Sequence, residues 1–188
     1  ALRLPRTLHI TGSLAGPGAA ECRLDQALQR VTGGLVVLRA PGLAPEQYRQ
    51  LASMALARCS GSSVGVMLHG GPALLSEFTE ADGLHLPWRE AERLSGRPVA
   101  GNVRLGVSCH SAEQLRQAER LGADYAVLGP VLPTASHPGE PTLGWEAFEQ
   151  LVAAARLPVY ALGGMQPGHI AKARALGGQG IAGIGFWW

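Results

Sequence analysis

Paired glycines after an apolar segment near the C-terminus are the residues of this chain best suited to holding an anion. Gly163 and Gly164 follow Val159–Leu162, and a helical pattern begins shortly after them. Glycine lets backbone amides approach a phosphate closely, and the start of a helix adds partial positive charge. Gly183 and Gly185 lie at the end of the next apolar segment. These four glycines predict a phosphate site, and the alternative is that they are ordinary turn residues.

Hydroxyl and imidazole side chains follow two other apolar segments. Ser108 and His110 lie where one segment ends, so the hydroxyl predicts a ligand contact, and the imidazole either binds ligand or caps the start of a helix. Thr134 and His137 belong to a long loop at positions 133–141. Loops of this length in barrels often close over a substrate, and the alternative is a rigid surface loop held by its prolines.

Arg39 and His69 end two apolar segments nearer the N-terminus. The guanidinium of Arg39 either reaches toward a diphosphate or carboxylate, or extends outward into solvent. His85 lies inside the apolar segment that follows His69, so the two imidazoles are expected near one another. A third metal ligand at suitable spacing is missing, which favours a hydrogen-bonded core histidine at position 85 over a metal pair.

Eight short apolar segments, bounded by Gly, Pro or polar residues, predict eight β-strands that place these side chains. Their hydrophobicity is continuous rather than alternating, as in strands buried on both faces of a parallel sheet. Alternation with helices predicts an α/β protein, a (β/α)8 TIM barrel with its chemistry at the carboxyl ends of the strands. The predicted strands are Thr7–Thr11, Leu35–Arg39, Val64–His69, Gly83–Leu86, Val103–Ser108, Tyr125–Gly129, Val159–Leu162 and Gly180–Ile184. The predicted helices are Asp25–Val31, Pro45–Arg58, Ala73–Glu80, Arg89–Leu94, Ala112–Leu121, Trp145–Arg156 and Gly168–Leu176.

The last helix of the barrel is expected to be short or missing. The chain ends at Phe186, Trp187 and Trp188, where an eighth helix should begin. Large indoles are rarely left in water without a reason. We therefore expect them to cover the bottom of the barrel or to contact a neighbouring subunit, which makes a homodimer one option.

Composition limits the classes of partner. With 46% hydrophobic and 16% charged residues, the 188 residues predict a single folded domain over positions 1–188. A net charge of +2 with interspersed signs argues against nucleic acid or a membrane surface as the main partner, so a small molecule is expected. No apolar run is long enough for a membrane span and the N-terminus lacks the core of a signal peptide, which predicts a cytoplasmic protein.

Four motifs in order make the chain resemble the thiamine phosphate synthases and the related thiazole tautomerases. The resemblance covers most of the chain and is strongest after residue 81. The motifs are Ala81–Leu86, Gly106–Ser111, the stretch from Gly122 through Thr134, and Ala161–Met165. The resemblance implies a (β/α)8 barrel that joins a pyrimidine diphosphate to a thiazole phosphate and releases pyrophosphate with magnesium.

The same resemblance implies roles for charged residues and shows where this chain departs from the pattern. Arg39 matches an arginine that holds the diphosphate, whereas Pro41 replaces the lysine that follows it. His69, with the glycine after it, replaces an Asn-Asp pair whose aspartate binds magnesium, and Glu90 lies near the place of a second magnesium aspartate. His137 lies about where a lysine contacts pyrophosphate. Expulsion of a polyanion needs metal and cations, so synthase activity is expected to be reduced or lost.

The phosphate end of the site is better retained, because Ser108, Thr134, Gly163 and Gly164 keep the family's residue types. The expected ligand is therefore a small phosphorylated heterocycle of the thiazole phosphate type, with Mg²⁺ involved only if synthase activity persists. The tautomerase reading is weakened because Pro130 stands where that branch has its acid/base histidine.

Two further readings stay open. An active, divergent synthase would rebuild the diphosphate site from Arg39, His69, Glu90, Ser108, Thr134 and His137, with His69, Glu90 and His137 as the candidate catalytic residues. A non-enzymatic partner or regulatory module is the other reading, because the chain also resembles the barrel domain fused behind Nudix hydrolases.

Overall fold

The strands and helices alternate along the whole chain. The computed structural model describes residues 3–14, 20–135 and 138–188. The strands are β1 (Thr7–Ile10), β2 (Gly34–Leu38), β3 (Val64–His69), β4 (Gly83–Leu86), β5 (Arg104–Cys109), β6 (Tyr125–Leu128), β7 (Val159–Leu162) and β8 (Gly180–Gly183). The helices are α1 (Ala20–Leu28), α2 (Pro45–Cys59), α3 (Leu74–Glu77), α4 (Trp88–Ala91), α5 (Ala112–Arg120), α6 (Gly144–Ala154) and α7 (Ile170–Ala175), with a 3-10 turn at Pro167–His169.

The eight strands close into one barrel. Each strand pairs in parallel with the next, and β8 pairs with β1, so the sheet has no edge. This arrangement confirms the predicted (β/α)8 TIM barrel. Across the described ranges, none of the helices combines the length and apolar character that crossing a membrane would require.

Strand bounds agree closely with the sequence prediction, whereas three helices differ from it. α1 begins before its predicted start and ends at Leu28, after which the chain makes single turns. α3 and α4 are one turn long instead of two. After α4, the amide of Leu94 bonds to the carbonyl of Ala91, three residues back, so the backbone tightens and leaves the α-helical pattern.

The core has two layers, as the parallel barrel requires. Inside the barrel, the rings of Tyr125 and Tyr160 meet edge to face with centroids 5.6 Å apart and both are fully buried. The hydroxyl of Tyr160 donates to the carbonyl of Pro5 at 2.7 Å, and Gln179 Nε2 donates to Leu4 O at 3.1 Å. The chain's own N-terminal residues thus cover the amino end of the barrel. The outer layer lies between the strands and the helices.

The last residues of the sequence, Phe186–Trp188, pack against the strands of the barrel. Beyond β8 the described chain makes a turn instead of a helix. The indole Nε1 of Trp187 donates to the carbonyls of Ile10 and Gly183, at 3.0 and 3.1 Å, which end β1 and β8. Trp188 lies against Gly12, just past β1. The expectation that these indoles cover the barrel bottom is wrong, because they pack beside the carboxyl ends of the strands.

Candidate functional site

The carboxyl ends of the strands meet at one rim, which we call the mouth. Strands β2, β3 and β4 are neighbours in the barrel, and β7 and β8 lie on its far side. Most of the side chains predicted to bind ligand follow these strands. The mouth is formed by Arg39, His69, Trp88–Glu90, His110, Gly129–Pro130, Gly163–Gly164 and Gly185.

Two hydroxyl groups fix the backbone where β2 and β3 reach the mouth. Thr11 Oγ1 accepts from the amide of Arg39 at 2.7 Å and donates to the carbonyl of the same residue at 2.5 Å. Tyr48 on α2 accepts from the amide of His69 at 3.0 Å and donates to Leu38 O at 2.9 Å. Because both strand ends are tied to side chains of other elements, Arg39 and His69 leave the barrel in defined positions.

The guanidinium of Arg39 is half-buried. It makes neither a hydrogen bond nor an ion pair with any residue of the described ranges. Burial lowers its pKa, but an arginine side chain keeps its proton at any physiological pH. A partly desolvated charge without a partner is unfavourable. Arg39 is therefore suited to bind an anion at the mouth, as its residue type predicts.

His69 contributes a neutral ring. Its imidazole stacks on that of His85 with centroids 5.8 Å apart and an interplanar angle of 21°. Burial, and then the positive charges of Arg39 and Arg89, lower the pKa of His69 to about 4. The ring therefore carries no charge near pH 7. It cannot replace the positive charge of the lysine for which this chain has Pro41.

The predicted core histidine positions the predicted ligand hydroxyl. His85 Nε2 lies 2.9 Å from Ser108 Oγ, and His85 Nδ1 lies 2.9 Å from the hydroxyl of Tyr125. Desolvation lowers the pKa of His85 well below its ordinary value, and a positive charge on His69 would lower it further. A neutral imidazole donates from one nitrogen and accepts at the other, and both hydroxyls can match it. Gly106 leaves the necessary room, since a β-carbon there would lie 2.7 Å from His85 Nδ1.

His110 connects the ends of β5 and β6. Its Nδ1 donates to the carbonyl of Gly129 at 2.7 Å, and its amide donates to Gln114 Oε1 at 2.7 Å. A carbonyl only accepts, so the proton of the neutral ring lies on Nδ1 and the lone pair on Nε2. The side chain is exposed. In the structure, His110 thus links the end of β5 to the residue that follows β6. Ligand binding through Nε2 stays a prediction.

The glycine pair after β7 turns the chain in a backbone conformation that favours glycine. Gly163 and Gly164 have φ angles of +99° and +65°. The loop after β6 lies against them, since β-carbons there would approach Pro130 Cα at 2.7 Å and Pro133 O at 2.6 Å. Neither amide donates to an acceptor in the described part of the chain. The turn therefore needs glycine for structural reasons, and it leaves two amide donors without an acceptor among the described residues.

The other predicted ligand residues lie in different settings. Gly185 is exposed and its amide donates to no described acceptor, whereas Gly183 is buried within β8 and the ring of Phe186 covers it. Thr134 is half-buried on the loop after β6. His137 lies outside the described residues, so its expected contact with pyrophosphate stays a prediction.

Glu90 is the acidic residue that was predicted at the mouth. A β-carbon on Gly71 would lie 3.1 Å from Glu90 Oε2, so the carboxylate lies over the turn that follows β3. Groups of three or more His, Cys, Asp or Glu side chains able to hold a metal are not found among the residues described. Mg²⁺ prefers several oxygen ligands, and the charges of Arg39 and Arg89 both act on this region. These donors do not fit the magnesium ion that the resemblance implies.

Sequence reasoning missed Arg89 and Tyr48. Arg89 was assigned only to the start of a helical pattern, although it comes three residues after the end of β4. Its position just past a buried strand was the available signal, because such residues lie at the mouth of a barrel. Tyr48 gave no comparable signal, since its spacing on α2 resembles that of any core-facing residue.

Sequence comparison identifies the family. The model of the thiamine monophosphate synthase family matches residues 10–185. A putative thiamine-phosphate synthase 2 from Aquifex aeolicus is 38% identical over 105 residues, 56% of this chain and 56% of that protein. The thiamine-phosphate synthase of Synechococcus sp. strain WH7803 is 31% identical over 183 residues, 90% of this chain and 49% of that protein. The matches thus span about half of the length of these curated relatives.

Solved structures agree at the level of the fold. Thiamine phosphate pyrophosphorylase from Pyrococcus furiosus has a TM-score of 0.68 with this chain at 21% identity, covering 95% of this chain and 85% of that one. A structure titled native KDPGal has a TM-score of 0.66 at 18% identity, over 98% and 84% of the two chains. The fold alone would thus leave several barrel families open. With the family model matching nearly the whole chain, the chain belongs to the thiamine monophosphate synthase family.

Proposed function

We propose that this domain binds a small phosphorylated heterocycle of the thiazole phosphate type at the mouth, and that its synthase activity is reduced or lost. The observation that carries the proposal is the set of unused backbone amides at Gly163, Gly164 and Gly185. Amides that point away from internal partners at the ends of β7 and β8 are the usual phosphate donors of such barrels. The family membership supports a ligand of this class.

The expected loss of synthase activity is based on the residues that follow β2, β3 and β4. Departure of pyrophosphate concentrates negative charge, which metal ions and cations must stabilise in the transition state. His69 is neutral, Pro41 has no charge, and among the described residues Glu90 belongs to no group of three side chains that could hold a metal ion. Arg39 keeps its charge and can bind an anion, but one arginine does not replace a metal ion and a lysine.

A charge placed beside the phosphate tests the binding half of this proposal. Gly185 is exposed, has no neighbour within 4 Å of an added β-carbon and shows no positive φ, so Gly185→Asp should fold. The new carboxylate should repel the phosphate and weaken binding of thiazole phosphate at least about tenfold. Titration calorimetry measures the affinity.

Gly101→Asp is the matched control. Gly101 is also exposed and has no neighbour within 4 Å of an added β-carbon, but it lies before β5, at the amino end of the barrel. This variant should bind like the parent protein. Equal affinity in Gly185→Asp and the parent would refute the placement of the phosphate, and no binding by the parent would refute the proposal itself.

A further inference from the structure

Ser108 ends a chain of hydrogen-bonded side chains inside the barrel. On β5, Val107 and Cys109 pack in the outer layer of the core, so Ser108 between them points into the barrel. Its Oγ lies 2.9 Å from His85 Nε2, and His85 Nδ1 lies 2.9 Å from the hydroxyl of Tyr125. His85 and Tyr125 are fully buried, whereas Ser108 is half-buried near the carboxyl end of its strand. The hydrogen bonds thus run from the interior of the barrel to the mouth.

The direction of these hydrogen bonds follows from the buried phenol of Tyr125. Among the described residues, His85 Nδ1 is the only hydrogen-bond partner of this hydroxyl. If Nδ1 carried the imidazole proton, the phenol proton would be left in the interior without an acceptor, which is unfavourable. Tyr125 therefore donates and Nδ1 accepts. Because burial lowers the pKa of His85 well below its ordinary value, the ring is neutral and its one proton lies on Nε2.

This tautomer of His85 determines which hydrogen bonds Ser108 can form. Nε2 donates to Ser108 Oγ, so the serine oxygen accepts inside the barrel and keeps its own proton for another partner. Within the described chain, no acceptor receives that proton. The hydroxyl of Ser108 is therefore available as a donor to a ligand in the mouth.

The position of Ser108 determines which part of a ligand it meets. The amides of the proposed phosphate site follow β7 and β8, and β6 separates β7 from β5. Neighbouring strands are about 4.8 Å apart, so Ser108 lies roughly 10 Å from the glycine turn after β7, too far for one phosphate group to contact both. A molecule whose phosphate lies at the glycines can instead bring its heterocyclic ring to Ser108.

We infer that Tyr125 and His85 are positioning residues that fix Ser108 as a hydrogen-bond donor, and that this donor selects a heterocycle with an acceptor atom in its ring. The inference rests on the proposed function, because it concerns the ring of the same ligand. The nitrogen of a neutral thiazole has a lone pair that can accept this hydrogen bond, whereas the sulfur is a weak acceptor. A ring whose nitrogen is alkylated cannot accept it.

Thiazole phosphate and its N-methylthiazolium analogue test the donor role of Ser108. Titration calorimetry gives the ratio of the two affinities for each protein. The parent should prefer thiazole phosphate, and Ser108→Ala should lower this preference at least about fivefold, because the bond to the ring nitrogen is lost. Ser53→Ala is the matched control, since it removes an exposed hydroxyl on α2 and should keep the ratio of the parent. The positive charge of the analogue affects all three proteins alike.

Long-range proton–nitrogen NMR measures the tautomer of His85 directly. At pH 7 the parent should carry the imidazole proton on Nε2 and show a hydrogen-bonded, unprotonated Nδ1. In Tyr125→Phe the Nδ1 signal should move toward that of a nitrogen without a hydrogen bond. Because phenylalanine keeps the ring and removes only the hydroxyl, a packing role alone would leave this signal in place. Near-ultraviolet circular dichroism verifies that each variant is folded, and the parent spectrum reports the tautomer even if Tyr125→Phe does not fold.

The outcomes separate this inference from the proposed function. A protonated Nδ1 in the parent, an unmoved Nδ1 signal in folded Tyr125→Phe, or equal affinity ratios of the parent and Ser108→Ala would overturn the inference while thiazole phosphate still binds. No binding of thiazole phosphate by the parent would overturn both.

Discussion

His69 shows how a single side chain changes the chemistry expected at the mouth. The active-synthase reading counts it among the catalytic residues, although one partly neutral histidine is not expected to replace the missing cations. In the structure the ring stacks on the buried His85, and its pKa falls to about 4 because of burial and then of the charges of Arg39 and Arg89. At this position the imidazole is uncharged near pH 7 and adds no positive charge to the mouth. Sequence alone could not predict this, because the shift comes first from burial and then from Arg39 and Arg89, and only the closed barrel sets the burial of His69.

The shifted pKa of His69 predicts a pH dependence of stability. In the unfolded chain the histidine takes up a proton as the pH falls below 6.5, but in the folded protein it does so only near 4. Protons therefore favour the unfolded chain between these values, and the free energy of unfolding should fall as the pH drops from 7 to 5. The His69 contribution should be about 2 kcal/mol at pH 5.

Urea unfolding at pH 7 and pH 5 measures this effect. His69→Gln removes the titrating group, so its loss of stability between the two pH values should be smaller than that of the parent by about this amount. The pKa values of His9 and His85 are also lowered, chiefly by burial, and this burial contribution remains in both proteins. The same pH dependence in parent and variant would contradict the neutral role of His69.

For Ser108 and Gly163, residue type and position along the chain were enough to predict where they lie in the barrel. Both were assigned to the site from residue type and position after a strand, and both lie at the carboxyl half of the barrel. The hydrogen bond from His85 to Ser108 joins two strands distant in sequence, so only the closed sheet reveals it.

At the scale of elements, the strands followed from the sequence more closely than the helices. β3, β4 and β7 have their predicted bounds because Gly and Pro punctuation limits each buried segment on both sides. The helix α5 also matches at its start, where Ser111 Oγ accepts from the amide of Gln114. α3 and α4 are shorter because their ends depend on turns against neighbouring elements, which the periodicity of single segments does not encode.

The position of the C-terminal turn could not be predicted from the composition of the chain. Trp187 closes the space between β1 and β8 on the outside of the barrel, and its indole bonds to both strands. His9 on β1 packs against the same indole with ring centroids 5.1 Å apart. The turn thus buries Trp187 against β1 and β8, and only 9% of this residue is exposed.

Removing the indole hydrogen bonds should destabilise the barrel. Trp187→Phe keeps an aromatic ring but leaves the carbonyls of Ile10 and Gly183 without this donor, which should cost about 1 to 3 kcal/mol of unfolding free energy. Trp145→Phe is the control, since within the described chain the Trp145 indole nitrogen donates to no acceptor. Chemical denaturation should show a larger loss for Trp187→Phe, and equal losses would mean that the two bonds contribute nothing.

At the scale of the whole molecule, the closed barrel brings groups of different kinds to one mouth. Backbone amides without a described acceptor follow β7 and β8, and Arg39 follows β2, which is separated from β8 by β1. The buried histidine and tyrosine network carries no net charge near pH 7, because desolvation lowers the pKa of His85 and raises that of Tyr125.

The assembly of the protein stays a prediction. Trp187 is buried within its own chain, so it does not need a second subunit to remove it from water. A homodimer and an upstream Nudix domain were expected from composition and from the resemblance respectively. Neither follows from the fold of this chain.

Formation of thiamine phosphate tests the central claim most directly. Purified protein is mixed with the pyrimidine diphosphate, the thiazole phosphate and Mg²⁺, and the product is quantified over time. Because Pro41 replaces the lysine, and the described residues of the mouth include no group of three metal ligands, we expect product formation to be absent or far slower than that of an ordinary enzyme. Magnesium-dependent turnover at the rate of an ordinary enzyme, on the order of 1 per second or faster, would contradict the account.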